Sequence, residues 1–176
     1  KAIDRWSSKN VLYDYFVGGH PWINFLKKQN IEYNLSDYIL YTLQPRLDLL
    51  EDTFSEKIIK TIKNTKEKWV IRLHPRQGVS ILYIEELLKQ KGVMDKVILR
   101  AVSEYPLPLV ISNAKVHVTH SSGSTLEALS CNIPSLVINK IGSDYYKDLI
   151  QNGNLKFIDF KSENFVEDFL NYVNEN

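Results

Sequence analysis

The chain is poor in the features that would make its class obvious. It has one cysteine, Cys131, so no internal disulfide can form, and a reducing, cytoplasmic setting is the simplest expectation. No apolar run approaches the ~20 residues needed to cross a bilayer. The opening Lys1 to Asn10 has neither the apolar stretch nor the small-residue cleavage site of a signal peptide. With 7 Gly and 6 Pro in 176 residues, a collagen-like or linker-dominated chain is excluded. Charge of one sign is also missing: 22 basic and 21 acidic residues leave a net charge of +1, too little to gather nucleic acid by its field. Neither Gly-x-Gly-x-x-Gly nor a phosphate-loop lysine occurs, which removes the common dinucleotide and ATP readings. No Cys, Asp or Glu stands near the histidines at a familiar zinc spacing, so no metal is expected.

What is present is an alternation. From about residue 38, apolar runs of strand length alternate with longer segments of helical period, the pattern of βαβ units around a parallel sheet. Tyr38 to Leu43, Trp69 to Leu73, Val97 to Val102, Val116 to Thr119, Pro134 to Ile138 and Leu155 to Phe160 read as six strands. Thr53-Phe-Ser-Glu56 has the form of a capping box ahead of Ile58, Ile59 and Ile62 on one helical face, with Lys60, Lys63 and Lys66 on another. Ile81, Ile84, Leu87 and Leu88 trace a helix toward Gly92, and Leu107 to Asn113 and Ser124 to Ser130 trace two more. Ser143 is placed to cap a helix bearing Tyr146, Leu149 and Ile150 and ending at Gly153. Phe165, Phe169, Leu170 and Val173 line a final helix. The expected fold is an α/β, Rossmann-like parallel sheet with helices on both faces, over residues 37–176. Residues 1–36 follow a different rhythm, and Trp22 to Lys28 there can form a docking helix.

In such a sheet ligands sit outside the carboxyl ends of the strands, where loops gather and helix amides point outward. His74 and His120 each follow a strand directly, which puts two of the four histidines at that edge. The run His120-Ser-Ser-Gly-Ser-Thr-Leu-Glu127 offers hydroxyls from Ser121, Ser122, Ser124 and Thr125 around Gly123, a composition suited to a phosphate. Glu127 has two readings: a carboxylate for ribose hydroxyls, or the far member of a Ser124–Glu127 capping box. His74 is either a histidine satisfied by backbone or a ligand group, with Arg72 and Arg76 beside it as further phosphate partners. A serine nucleophile lacks its Gly-x-Ser-x-Gly elbow.

These residues resemble the C-terminal, donor-binding half of GT-B glycosyltransferases and of UDP-GlcNAc 2-epimerases. Val17-Gly-Gly-His-Pro-Trp22 looks like the interdomain Val-x-Gly-x-Pro segment, and Tyr38 to Gln44 like the first strand of that half. Arg72-Leu-His-Pro75 looks like the His-Pro motif, and His120 to Ala128 with Pro134 like the Ser-Gly-x-x-x-Glu-Ala element. The resemblance implies that His74 and Pro75 contact the nucleotide, that Ser121, Ser122, Gly123 and Ser124 hold the phosphate, and that Glu127 binds ribose; Thr125, with its hydroxyl at the helix start, is expected to join the phosphate set. His120 is expected to donate a hydrogen bond to the departing donor phosphate, and His74 to sit by the nucleotide or that phosphate; these two are the expected catalytic groups. The resemblance further implies a CMP- or UDP-sugar as substrate with no other cofactor, and a surface polysaccharide or lipopolysaccharide as product. The glycan acceptor would be bound by an N-terminal domain that this chain lacks, and peripheral contact of the full protein with the inner face of a membrane is compatible with that role. His120 and Ser122 depart from the epimerase pattern, which has aspartate and glycine there, so an epimerase or hydrolase half-domain stands as the alternative, and a non-catalytic binding module as another.

Overall fold

The computed structural model describes residues 31–45, 50–76 and 78–176. The Val17 to Trp22 landmark and the helix expected over residues 22–28 lie outside them. Among the described residues, six strands form one wholly parallel sheet: β1 (Tyr38–Thr42), β2 (Trp69–Arg72), β3 (Val97–Ile98), β4 (Ala114–Thr119), β5 (Ser135–Val137) and β6 (Lys156–Phe157). Their spatial order is β3-β2-β1-β4-β5-β6. The chain therefore leaves β1 toward one edge and returns through β4 toward the other. Helices α1 (Leu50–Thr53), α2 (Glu56–Asn64), α3 (Ile81–Gln90), α4 (Leu107–Ser112), α5 (Ser124–Ser130), α6 (Lys140–Tyr145), α7 (Lys147–Gln151) and α8 (Phe165–Glu175) join and cover the strands. The α/β Rossmann-like expectation holds.

Strand alternation divides the core by face. Ile39, Tyr41, Trp69, Ile71, Val116 and Val118 pack on one side with residues of α2, α3 and α8; Tyr38, Leu40 and Val70 pack on the other with Val110, Ile111 and Ala128. Buried on both faces, these strands need continuous apolar runs rather than an apolar-polar alternation. The expected helical stripes are present: Ile58, Ile59 and Ile62 are buried while Lys60, Lys63 and Lys66 are exposed. Gly92 and Gly153 end α3 and the α6–α7 segment in left-handed conformations, φ +67° and +72°, which glycine adopts without penalty.

Four local expectations are corrected. Strand β3 stops at Ile98, because the chain turns at Arg100 into a short 3₁₀ segment, with the Arg100 guanidinium gripping Glu85 of α3 at 2.5 Å. The Thr53–Glu56 box does not form: Thr53 ends α1 with its carbonyl accepting the Tyr41 hydroxyl at 3.1 Å, and Ser55 precedes α2 without a side-chain cap. Ser143 lies inside α6, whose cap is Asn139, the Oδ1 of which accepts the Ile141 amide at 2.8 Å. Only residues 156 and 157 of the last expected strand are paired as a ladder, although the Ile158 and Phe160 amides still bond carbonyls of β5 and its exit.

Candidate functional site

Strands β1 and β4 run side by side while their onward connections diverge, which makes the C-terminal ends of this pair the point where a crevice opens in a doubly wound sheet. Thr42 lies in register with Arg72 on β2 and with Thr119 on β4, so these three residues form one row across the sheet edge. Beyond Thr119 the chain turns through Ser121, Ser122 and Gly123 into α5. Thr119 organises the turn: its hydroxyl donates to the Thr42 carbonyl at 3.0 Å and accepts the Ser122 amide and the Gln44 side-chain amide, each at 3.2 Å. From the other side Tyr146 donates its hydroxyl to the Ser122 carbonyl at 2.8 Å.

The four hydroxyls of this run are not equivalent. Ser121 and Ser122 are half-buried and Gly123 is exposed, whereas Ser124 and Thr125 are buried. A side chain at Gly123 would meet nothing within 4 Å, so this glycine leaves open room above the turn. Helix α5 begins after Gly123 with no side-chain cap, and Ser124 is its first residue, so the Ser124–Glu127 capping box does not form. The Ser124 hydroxyl points instead to Thr42 Oγ1 at 2.9 Å and His117 Nε2 at 3.2 Å. Glu127 is half-buried in the first turn of α5.

The two histidines found from sequence sit at the same edge but in different surroundings. His74 follows β2 half-buried, with Nδ1 accepting the Arg76 amide at 3.0 Å. A neutral ring in that position carries its proton on Nε2. Pro75 and Arg76 are exposed, and the half-buried Arg72 donates to the Val102 carbonyl. Burial lowers the Arg72 pKa, and the guanidinium stays charged, as arginine does in proteins. The His74 and Ser121–Ser124 turns are separated by β1 and thus stand ~10 Å apart, two strand spacings.

The His120 ring faces away from the serine turn's hydroxyl row, stacking on Tyr41 at 6.1 Å and lying against Phe160 at 5.2 Å. Its Nε2 is 2.9 Å from the Tyr41 hydroxyl. Because that hydroxyl gives its own proton to Thr53, His120 must be the donor between them, and neutral Nδ1 then holds a lone pair, not a proton. Burial, opposed in part by the Asp52 carboxylate, holds the imidazole down to about 4. The His120 backbone carbonyl lies against Gly142 of α6.

Several residues of the site were not picked out by motif: Thr42, Thr119, Tyr146, Gly142 and His117. His117 is fully buried in β4, with Nε2 2.9 Å from Thr42 Oγ1, and burial holds its pKa to about 3. The available signal was the period of two along β4, which sets His117 and Thr119 on the face opposite His120. Elsewhere, a cavity of about 1010 Å³ opens at the other end of β5 and β6 between Pro134, Ser135, Lys156 and Tyr172, away from this edge. Among the described residues no cluster of three His, Cys, Asp or Glu could hold a metal ion, and no helix is long and apolar enough to cross a membrane.

No family model and no curated protein matches the chain. Solved structures do. A putative UDP-N-acetylglucosamine 2-epimerase from Listeria monocytogenes is similar at 20% identity and TM-score 0.59, over 93% of this chain and 41% of that one. The UDP-GlcNAc 2-epimerase from Neisseria meningitidis, solved bound to UDP-GlcNAc, is similar at 20% identity and TM-score 0.57, over 81% of this chain and 37% of that one. The glycosyltransferase SnogD from Streptomyces nogalater is similar at 17% identity and TM-score 0.51, over 94% and 41% respectively. The chain thus spans about two fifths of the length of these proteins. It has the Rossmann-like α/β fold that UDP-GlcNAc 2-epimerases and GT-B glycosyltransferases share.

Proposed function

We propose that this domain holds the nucleotide-sugar donor of a glycosyltransferase. The observation that carries the reading is the juxtaposition, on either side of β1 at the sheet's C-terminal edge, of the His74 turn and the hydroxyl-rich turn after Thr119. In this reading Ser121, Ser122 and the open space at Gly123 receive the phosphate, with Ser124 and Thr125 forming the floor beneath it. His74 offers Nε2–H, and with Pro75 borders the nucleotide; Glu127 takes the ribose hydroxyls. Donors preorganised around a leaving phosphate stabilise the charge that develops as the glycosidic bond breaks. His120 supports the turn from behind, through its ring on Tyr41 and its carbonyl on α6. The donor is a CMP- or UDP-sugar with no further cofactor, and the acceptor, a growing surface polysaccharide or lipopolysaccharide, meets the donor through another part of the whole protein.

A 2-epimerase would use the same half-site, and the similarity to two such enzymes supports keeping it as the second reading. Calorimetric titration of the 176-residue chain with UDP and with CMP tests both. Saturable binding is expected, weakened about tenfold by His74→Ala and by Glu127→Ala, the loss of a hydrogen bond in each case. Absence of binding to either nucleotide would overturn both readings.

A further inference from the structure

A parallel strand covered on both faces is ordinarily apolar throughout, yet β4 carries a histidine at its centre, fully buried beneath the crevice. A buried polar side chain costs free energy unless its hydrogen bonds are made. His117 makes contacts through one nitrogen only: Nε2 is 2.9 Å from Thr42 Oγ1 and 3.2 Å from Ser124 Oγ, while Nδ1 is buried without a partner. Thr42 Oγ1 and Ser124 Oγ are themselves 2.9 Å apart.

Counting protons gives this triangle a direction. A proton on Nδ1 would be an orphaned buried donor, the rarer and costlier defect, whereas a bare Nδ1 lone pair is an under-satisfied acceptor of the commoner kind. The proton therefore sits on Nε2, which can then only donate, and Thr42 Oγ1 is its shorter contact. With that oxygen accepting from Nε2, either hydroxyl can donate across the 2.9 Å Thr42–Ser124 contact, and one hydroxyl proton is left without a partner inside the triangle. Nε2 has no lone pair for that proton, so its acceptor lies outside the triangle, and Ser124 is the hydroxyl placed to present it there. Ser124 is also the member of the triangle that borders the turn, its amide bonding Ser122 Oγ at 3.3 Å.

We propose that His117 is a positioning residue that acts through Thr42 to hold the Ser124 hydroxyl as a hydrogen-bond donor toward an oxyanion of the ligand. The inference rests on the donor-binding function given above, in which that oxyanion is a phosphate oxygen of the nucleotide. It adds a selectivity: the floor of the crevice offers protons and rejects ligand groups that must donate. Neutral buried histidine suits this role because it keeps a fixed tautomer across physiological pH.

Two measurements on the full chain decide it. Nitrogen-15 NMR of the imidazoles, without ligand, is expected to show His117 as the Nε2–H tautomer, unchanged between about pH 5 and about pH 8. An Nδ1–H tautomer would overturn the relay. Second, UDP and uridine affinities are compared for the wild type, the near-isosteric Thr42→Val, Ser124→Ala and the double variant. Each single change is expected to weaken UDP about tenfold and uridine by less than about twofold, with the double variant no weaker than Ser124→Ala alone. His117→Gln, which returns an N–H to the Nε2 position, is expected to stay within about threefold of wild type. Additive losses, or equal losses for UDP and uridine, would mean a structural role only and overturn the proposal. If the wild type binds neither UDP nor CMP, the donor-binding function falls, and the tautomer still decides the relay by itself.

Discussion

At Gly142 the backbone of α6 runs against the edge of the sheet. A Cβ built there would stand 2.1 Å from the His120 carbonyl oxygen and 2.5 Å from Val137 Cγ1. Neither atom is the free end of a flexible chain, so the helix itself must move, and with it Tyr146, whose hydroxyl holds the Ser122 carbonyl. Gly142→Ala is expected to cost about 1–3 kcal/mol, read from urea unfolding, and to weaken nucleotide binding in the same protein. Gly123 is the opposite case, with nothing within 4 Å of an added methyl. Gly123→Ala is expected to change stability by less than about 0.5 kcal/mol while lowering UDP affinity, since the methyl occupies room assigned to the phosphate. Unchanged UDP affinity in Gly123→Ala would show that the ligand does not pass over this turn.

Helix α8 is held by its apolar stripe, not by capping: Asn164 makes no side-chain cap, while Phe165, Phe169 and Val173 are all buried. Phe169 lies nearly parallel to the Trp69 indole of β2, 14° between planes and 5.5 Å between centroids. The indole is fixed in turn by its N–H donating to Thr65 Oγ1 at 2.7 Å. Phe169→Ala is expected to destabilise by about 3–5 kcal/mol, with a red shift in Trp69 fluorescence as the ring loses its cover. These elements were legible in the sequence because a helix stripe and an apolar strand are patterns of one segment read alone. The shortness of β3 was not, since the chain leaves the ladder for the 3₁₀ segment Arg100–Val102, whose Val102 packs with Tyr38, Leu40 and Val70, residues distant in sequence. The same holds for the caps. Ser143 and the Thr53–Glu56 box had the right residue types, but Asn139 and the Tyr41 contact with Thr53 decided where the helices begin.

At the scale of the whole molecule, buried His117 and His120 tie stability to pH. Burial lowers His117 to about 3 and His120 to about 4 from an ordinary 6.5. Between those values the unfolded chain binds more protons than the folded one, so stability is complete above 6.5 and is lost as pH falls toward the folded values. The expected slope is about 1 kcal/mol per pH unit for each histidine, measured as the fall in urea midpoint from about pH 7 to about pH 5. His117→Gln should remove one histidine's share, and an unchanged slope in that variant would show that His117 is not protonated on unfolding in this range.

Composition, alternation of apolar runs and the small-residue turn after β4 were sufficient to determine the parallel α/β class and the edge of the sheet that carries the polar turns. Hydrophobic periodicity and chain connectivity are properties of the sequence, and the C-terminal ends of parallel strands share one edge whatever the details. The site's interior was decided only in three dimensions. Whether Ser124 caps α5 or reaches Thr42 and His117, and whether His120 faces the crevice or Tyr41, depends on partners 79 or more positions away in some pairs, such as Thr42 with Ser124 and His120 with Tyr41. Hydrogen bonds form between atoms within about 3 Å of each other, and closeness of that kind between β1 and β4 exists only once the sheet has brought the two strands together.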